Sequence, residues 1–428
     1  MTVGGTSTQQ TIQLCPTCGA TLVVQPHYVT WCQHCGWNIK PHVAVEKGFF
    51  AKLYAAQGQK TSEKLLTKME TMEQLRPQLS LSKTLAFFGA GIVHLVTLVC
   101  LTLGNFILIN GWPNIVAIAG ALFLLGVAWV LRPQFAQLED DEVILSRSEF
   151  PQIYRMTDAV AAVLHARPLD GIIINHEFNA SFGRYGVRRR RILHLGLPLW
   201  SILAPDEKIS LIGHELAHSV NGDSTRGFFV GSAINALITW SVILRPDQIW
   251  DSNDGIRGLF AIPLNLILLG VAQIAWLAGY GLVHLLWRDK QRAEYLADYL
   301  ASTVSGTTAM LRMLDKLHLA ATCHFAMQRI ALGNNRTISM FSALTDHVQH
   351  IPEQERERLR RVQLLEGSRL DTTHPPTPYR IRFLQTHSIT TSQVELSKAE
   401  NSAIDAELTR LHEKIQRHIV SQMTSFGT

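Results

Sequence analysis

Two stretches of this chain run without a charged residue for longer than a globular core requires: Leu85 to Ile109 and Leu259 to Trp287. Two shorter uncharged runs stand beside them, Asn114 to Leu131 and Phe228 to Leu244. A bilayer's hydrocarbon core takes about 20 apolar residues of helix, so the first and last runs are ample, Asn114–Leu131 suffices and Phe228–Leu244 is marginal. Fully buried soluble helices are the alternative reading, but uncharged runs of this length are rare in globular cores. Composition agrees. Only 17% of the 428 residues are charged, against about a quarter in soluble domains, while 47% are hydrophobic and the mean hydropathy is +0.10. That balance excludes a mainly disordered, collagen-like or disulfide-scaffold protein.

Basic residues orient the hairpins. Lys83 precedes the first run, Arg132 follows the second, Arg184 and Arg188 to Arg191 lie in the segment after it, and Arg288, Lys290 and Arg292 follow the fourth. The turn Asn110-Gly111-Trp112-Pro113 between runs one and two has no basic residue, and Arg245 and Arg257 between runs three and four face Asp247, Asp251 and Asp254. Basic flanks stay cytoplasmic, so both termini and the two polar blocks are expected in the cytosol at a cell membrane. The residues up to Gln13 are mostly polar, and no cleaved secretory signal is expected.

Four of the six cysteines crowd the first forty residues. Cys15-Pro-Thr-Cys18-Gly19 and Cys32-Gln-His-Cys35-Gly36 are two Cys-x-x-Cys-Gly knuckles. Four thiolates suit one tetrahedral zinc with no vacant position, a structural site. Thr21–Val24 and Tyr28–Trp31 flank Gln25-Pro26-His27 as a short hairpin would. Lys40 is the one charged residue in these forty. A phosphate backbone would find no electrostatic footprint here, so no nucleic acid is expected and a protein is the better partner.

Gly171–His176 and Arg191–Leu195 read as strands, with the Gly-containing segment Phe182–Gly186 between them. A helix then opens at Pro205-Asp206-Glu207 and closes at Asn221-Gly222. His214-Glu215-Leu216-Ala217-His218 lies in its middle. Histidines four apart share a helical face and can bind one zinc, with Glu215 beside them to act on water at the open position. The metzincin extension is excluded, because Ser224 stands where its third histidine would be. Glu294 in Glu294-Tyr-Leu-Ala-Asp298, just past the fourth run, is the better third ligand. Asp298, one turn on, can receive an imidazole N–H and fix its tautomer. An exposed acidic pair is the plain alternative.

These motifs, with Phe178-Asn179-Ala180 before them and Thr373-His374-Pro375-Pro376 and Arg380-Ile381 after, resemble the HtpX-type membrane zinc metalloproteases. Those are gluzincins related to the type I CAAX prenyl proteases, and the resemblance spans Lys83 to Gln385. It implies His214, His218 and Glu294 as zinc ligands, Glu215 as general base, and Asp298 behind a ligand histidine. It further implies Asn179 and Ala180 at a substrate-binding edge strand. His374 and Arg380 would lie near the site, stabilising an oxyanion or locking the C-terminal lobe.

The chain is thus expected to be α+β and mainly α: four transmembrane helices, a cytosolic zincin-type domain and an N-terminal zinc ribbon. The segments are a ribbon (1–40), a linker (41–83), a first hairpin (84–131), the first protease part (132–227), a second hairpin (228–287), the second part (288–390) and a C-terminal amphipathic helix (391–428). Pro352–Glu366 reads as a solvated helix, and Ile404, Leu408, Leu411, Ile415 and Ile419 as a packing or self-association stripe. The expected activity is endopeptidase cleavage of membrane proteins or peptides in quality control, using one catalytic and one structural zinc. Prenyl-protein cleavage is one alternative. A non-catalytic membrane scaffold whose ribbon recruits a protein is the other.

Overall fold

All four apolar runs are helical. In the computed structural model, which describes residues 11–40, 49–72, 80–221, 223–245, 255–333, 339–366 and 374–425, they follow α1 (Phe49–Glu70) and form α2 (Leu81–Asn110), α3 (Ile115–Leu131), α7 (Asp223–Ile243) and α8 (Gly255–Ser305). Gly222, Thr373 and the acidic loop residues Asp247, Asp251 and Asp254 lie outside the described residues. Ser80 caps α2 by accepting from the Lys83 amide, and Asn114 caps α3 by accepting from Val116 and Ala117, each satisfying amides that a helix start leaves unpaired. By length and composition α2 and Asn265–Ser305 of α8 could cross a bilayer, whereas α3 and Phe228–Ile243 are shorter apolar helices. Burial decides against a soluble core: 11% of the apolar window in α2 and 22% of that in α8 is buried. Phe88, Phe106, Phe123, Ile267 and Ile274 face outward, a patch that water does not tolerate on a monomer.

Helices α2, α7 and α8 meet where Ala86, Ala90, Val230, Ala233 and Leu282 form a small core. His94 Nε2 lies 2.9 Å from the Phe229 carbonyl, tying α2 to α7.

A mixed block follows α3. Helix α4 (Pro151–Val163) precedes strands β3 (Gly171–Asn175), β4 (Ala180–Tyr185) and β5 (Arg190–Gly196), then α5 (Leu197–Ile202) and α6 (Pro205–Val220). The strand order is β3-β5-β4, with β3 parallel and β4 antiparallel to β5. The Phe182–Gly186 segment is therefore mostly strand, and β4 is a sheet edge. Ile172, Leu193 and Leu195 join Ile209, Ile212 and Leu216 of α6 in the main core. After α8 come α9 (Thr307–Leu317), α10 (Ala320–Leu332), α11 (Met340–Gln349), α12 (Glu353–Glu366), α13 (Thr377–Thr386) and α14 (Lys398–Ser425).

Two expectations need correction. In the ribbon the ladder joins β1 (Thr11–Leu14) to β2 (Thr21–Val24), and Tyr28–Trp31 adds no strand. The first Cys knuckle is itself the hairpin turn, while Trp31 is buried against α12 and its Nε1 donates to the Gln354 carbonyl. Helix α12 is correspondingly not a solvated helix: Leu359, Val362 and the ion pair Glu355–Arg358 are buried. The C-terminal stripe is a packing face. Ile404, Leu408, Ile415 and Ile419 of α14 are buried in the main core, with Leu411 packed against it.

Candidate metal centre

The helix α6 is held in place before its histidines are reached. Glu207 accepts from the Ala204 amide and from Lys316 of α9. Lys208, buried, donates to Asn401 and Asp405 of α14. One turn further, Gly213 lets α6 and α8 approach closely: a Cβ there would lie 3.2 Å from Ala301 Cα. Ser210 and Ser305 bond across the same seam at 2.7 Å. That seam sets the spacing between His214 and His218 on one helix and Glu294 and Asp298 on the other.

The four side chains converge. His214 Nε2 and His218 Nε2 are 3.3 Å apart, and each lies 3.5 Å from one oxygen of Glu294. Ligands bound tetrahedrally to zinc at about 2.0–2.1 Å stand about 3.3 Å from one another, so the donor set fits one zinc with a fourth position left over. Asp298 Oδ1 accepts from His214 Nδ1 at 2.9 Å, which leaves Nε2 as the metal-facing lone pair. Arg380 clamps Asp298 from α13, Nε to Oδ2 at 2.7 Å and Nη2 to Oδ1 at 2.5 Å. His374 Nδ1 bonds Glu294 Oε2 at 2.6 Å with more than half its side chain exposed. Glu215 is buried between the two histidine positions in sequence.

Electrostatics favour a cation at the centre. Burial opposes charge on His214, yet hydrogen bonds to Asp298 and Glu294 outweigh it and push the imidazole up to about 10. Burial likewise disfavours ionised Glu294, but His214 and His374 hold the carboxyl well below its usual range. For Asp298 burial is again overcome, chiefly by Arg380. Glu294 and Asp298 lie past Trp287, where the fourth apolar run ends, and His214 lies ahead of Phe228, where the third begins.

The four cysteines converge separately. Cys15 and Cys35 sulfurs are 3.6 Å apart, as are those of Cys18 and Cys32, and all four ligand atoms lie within 4.8 Å of one another. Tetrahedral thiolates on zinc at about 2.3 Å would stand about 3.8 Å apart. Gly19 and Gly36 take φ of +72° and +73°, the left-handed backbone that each knuckle needs. Amides of Cys35 and His34 hold the Cys32 thiol down to about 6, toward the thiolate form that binds metal. At Cys35 the Trp37 amide also pulls down, but burial and the neighbouring cysteines push that thiol up to about 12.

Asn179 and Ala180 stand at the entrance of edge strand β4, where the Asn179 carbonyl accepts from the Gly196 amide. Sequence reasoning missed the buttresses. Arg361 donates to the Gln33 carbonyl and stacks on Trp31, so the ribbon grips the chain's own α12. Glu407 of α14 caps α4 at Gln152 and Ile153. A lysine within an apolar helix face, Lys208, was the available signal.

The profile of peptidase family M48 matches residues 148–388, more than half of the chain. The chain belongs to peptidase family M48. Two relatives share the description Protease HtpX homolog. The one from Pyrobaculum calidifontis is 25% identical over 240 residues, and the one from Archaeoglobus fulgidus 22% over 237. Each comparison covers 55% of this chain and 67% of the relative. No solved structure matches. The M48 match and these relatives make it an HtpX-type zincin metalloprotease. The ribbon, the first helical hairpin and α14 fall outside the matched M48 region.

Proposed function

We propose that this M48 protein is a four-span, membrane-embedded zinc endopeptidase whose active site faces the cytoplasm and cleaves membrane proteins in quality control. One observation carries the reading: the third ligand arrives on the same continuous helix that forms the last apolar run. Glu294 is seven residues beyond Trp287, about 10 Å along a helix, which supports a site beside the membrane surface. Arginines at the apolar helix ends support the orientation. Arg132 at the end of α3 lies on the Trp129 ring, and Arg189 of the β4–β5 turn on the Phe228 ring at the start of the third run; aromatic rings mark a membrane interface, and basic residues favour its cytoplasmic side. Both termini belong to the same side.

His214, His218 and Glu294 would hold one catalytic zinc, and Cys15, Cys18, Cys32 and Cys35 one structural zinc. Bound zinc supplies Lewis-acid polarisation, acidifying water and stabilising developing negative charge. Glu215 takes the water proton as the peptide carbonyl is attacked and returns it to the leaving amine. Asp298 holds His214 in the tautomer that presents Nε2, and Arg380 fixes Asp298; Arg380 is a positioning residue because its guanidinium is buried and engaged. His374 orients Glu294 through Nδ1 and, from the open side, is placed to approach substrate. An extended peptide pairs with β4 near Asn179 and Ala180, giving main-chain affinity and loose sequence preference.

Glu215→Gln tests the assignment. The purified variant should keep two zinc ions per chain and lose casein hydrolysis by a factor on the order of 10²–10⁴. Turnover at the wild-type rate would overturn the role given to Glu215.

A further inference from the structure

The sheet has a second face, turned away from α6. Along β4, Ala180 and Phe182 pack toward the core that contains α6, so Ser181 and Tyr185 point the other way. They line a cavity of about 570 Å³ with His194 of β5, the 139–142 segment and α14, a volume typical of ligand sites. Glu139, Asp141, Glu142 and Glu177 border it, against Lys414 from α14.

His194 is the built element. It is 7% exposed, its Nδ1 lies 3.1 Å from Glu142 Oε1, and its Nε2 has no hydrogen-bond partner among the described residues. With Nδ1–H donating to the carboxylate, Nε2 carries a lone pair and is an acceptor. Burial, outweighing the nearby carboxylates, lowers the readiness of this imidazole to take a proton. A buried acceptor without a donor is a cost unless a ligand supplies the donor. The cleft does not suit a point ion: among the described residues, convergence of three or more metal-binding side chains is found at the four-cysteine cluster and at His214, His218 and Glu294, and not here. Acids spread along a cavity suit an extended cation.

We propose that this cleft is a substrate subsite for lysine or arginine side chains, with His194, Glu139, Asp141, Glu142 and Glu177 as its recognition groups. The proposal rests on the endopeptidase reading and adds a substrate class to it. A peptide strand paired with β4 turns alternate side chains to the two faces of the sheet. One set meets the zinc ligands beside α6, and the next set meets this cleft.

Binding and cleavage test it separately. Full-length Glu215→Gln protein in detergent is titrated with fluorescent nonapeptides that differ only in carrying arginine or glutamine at alternate positions. The arginine peptide should bind at least tenfold more tightly, and adding Asp141→Asn with Glu177→Gln, both exposed, should erase the difference. Equal affinity for the two peptides, no measurable binding of either, or a preference that survives the paired substitution overturns the subsite. Calcium binding that the paired substitution abolishes, without peptide discrimination, also overturns it. Wild-type protein assayed on both peptides reads the other claim: cleavage of neither defeats the endopeptidase reading, whatever the binding result.

Discussion

Replacing Asp298 by asparagine removes one charge and almost no volume from the point where the metal site meets its support. Asp298 Oδ1 accepts from both Arg380 Nη2 and His214 Nδ1, and Oδ2 accepts from Arg380 Nε. Asparagine offers one acceptor oxygen, so in either flip its amide hydrogens face an N–H of Arg380. A lost hydrogen bond to a charged group costs about 1.5–3 kcal/mol. Loss of the partner that orients a metal-binding histidine costs about 10–100-fold in metal affinity, which is about 1.4–2.8 kcal/mol at 1.4 kcal/mol per tenfold. The assay is chelator competition on purified full-length protein, following release of each zinc, with circular dichroism to confirm folding. One zinc should leave at 10–100-fold lower chelator strength, while the zinc held by the four cysteines serves as the internal standard and does not change. A folded variant whose two zincs both stay within twofold of wild type would refute the argument that Asp298 holds His214.

Other expectations reach outside this centre. Asp315 receives the Arg360 guanidinium on both oxygens, at 2.6 and 2.8 Å; burial opposes its ionisation but Arg360 prevails, so its folded pKa is lowered. A lowered carboxyl pKa gives stability that is present above the unfolded value and lost as pH falls through the folded one. Asp315→Asn should therefore cost about 1 kcal/mol at neutral pH, given the partial exposure of the pair, and the gap from wild type should close in acid; a gap that is constant with pH contradicts it. Cys18→Ser should leave one zinc per chain and free Trp31 from α12, so that trypsin cuts after Lys40 more readily than in wild type. Retention of two zincs would show that the four cysteines do not form one site.

The two clusters of converging side chains that could hold a metal were legible because each rests on local spacing or on a motif. His214 and His218 are one turn apart, the Cys pairs are self-contained knuckles, and Glu294 follows the last apolar run directly. The apolar runs were equally plain, since exclusion of charge is a one-dimensional signal. What sequence could not show depends on partners distant in the chain. The family resemblance put Arg380 near the site, but its partner was not legible: α13 brings it to Asp298, eighty-two residues away. The charges of α12 concealed a buried Glu355–Arg358 pair, because charge patterning does not reveal when a pair is desolvated together. Only the family resemblance pointed to an edge strand at Asn179 and Ala180; the local pattern did not, because Ala180–Tyr185 contains Gly183 and Arg184 and lacks the β-branched run that marked β3.

Zinc counting on Glu294→Ala beside wild type probes the central claim most directly. Purified wild type should carry two zincs per chain and hydrolyse casein. The variant should carry one, held by Cys15, Cys18, Cys32 and Cys35, and should have no hydrolysis. Two zincs in the variant, or hydrolysis at the wild-type rate, would contradict a metal centre closed by the carboxylate that follows the last apolar run.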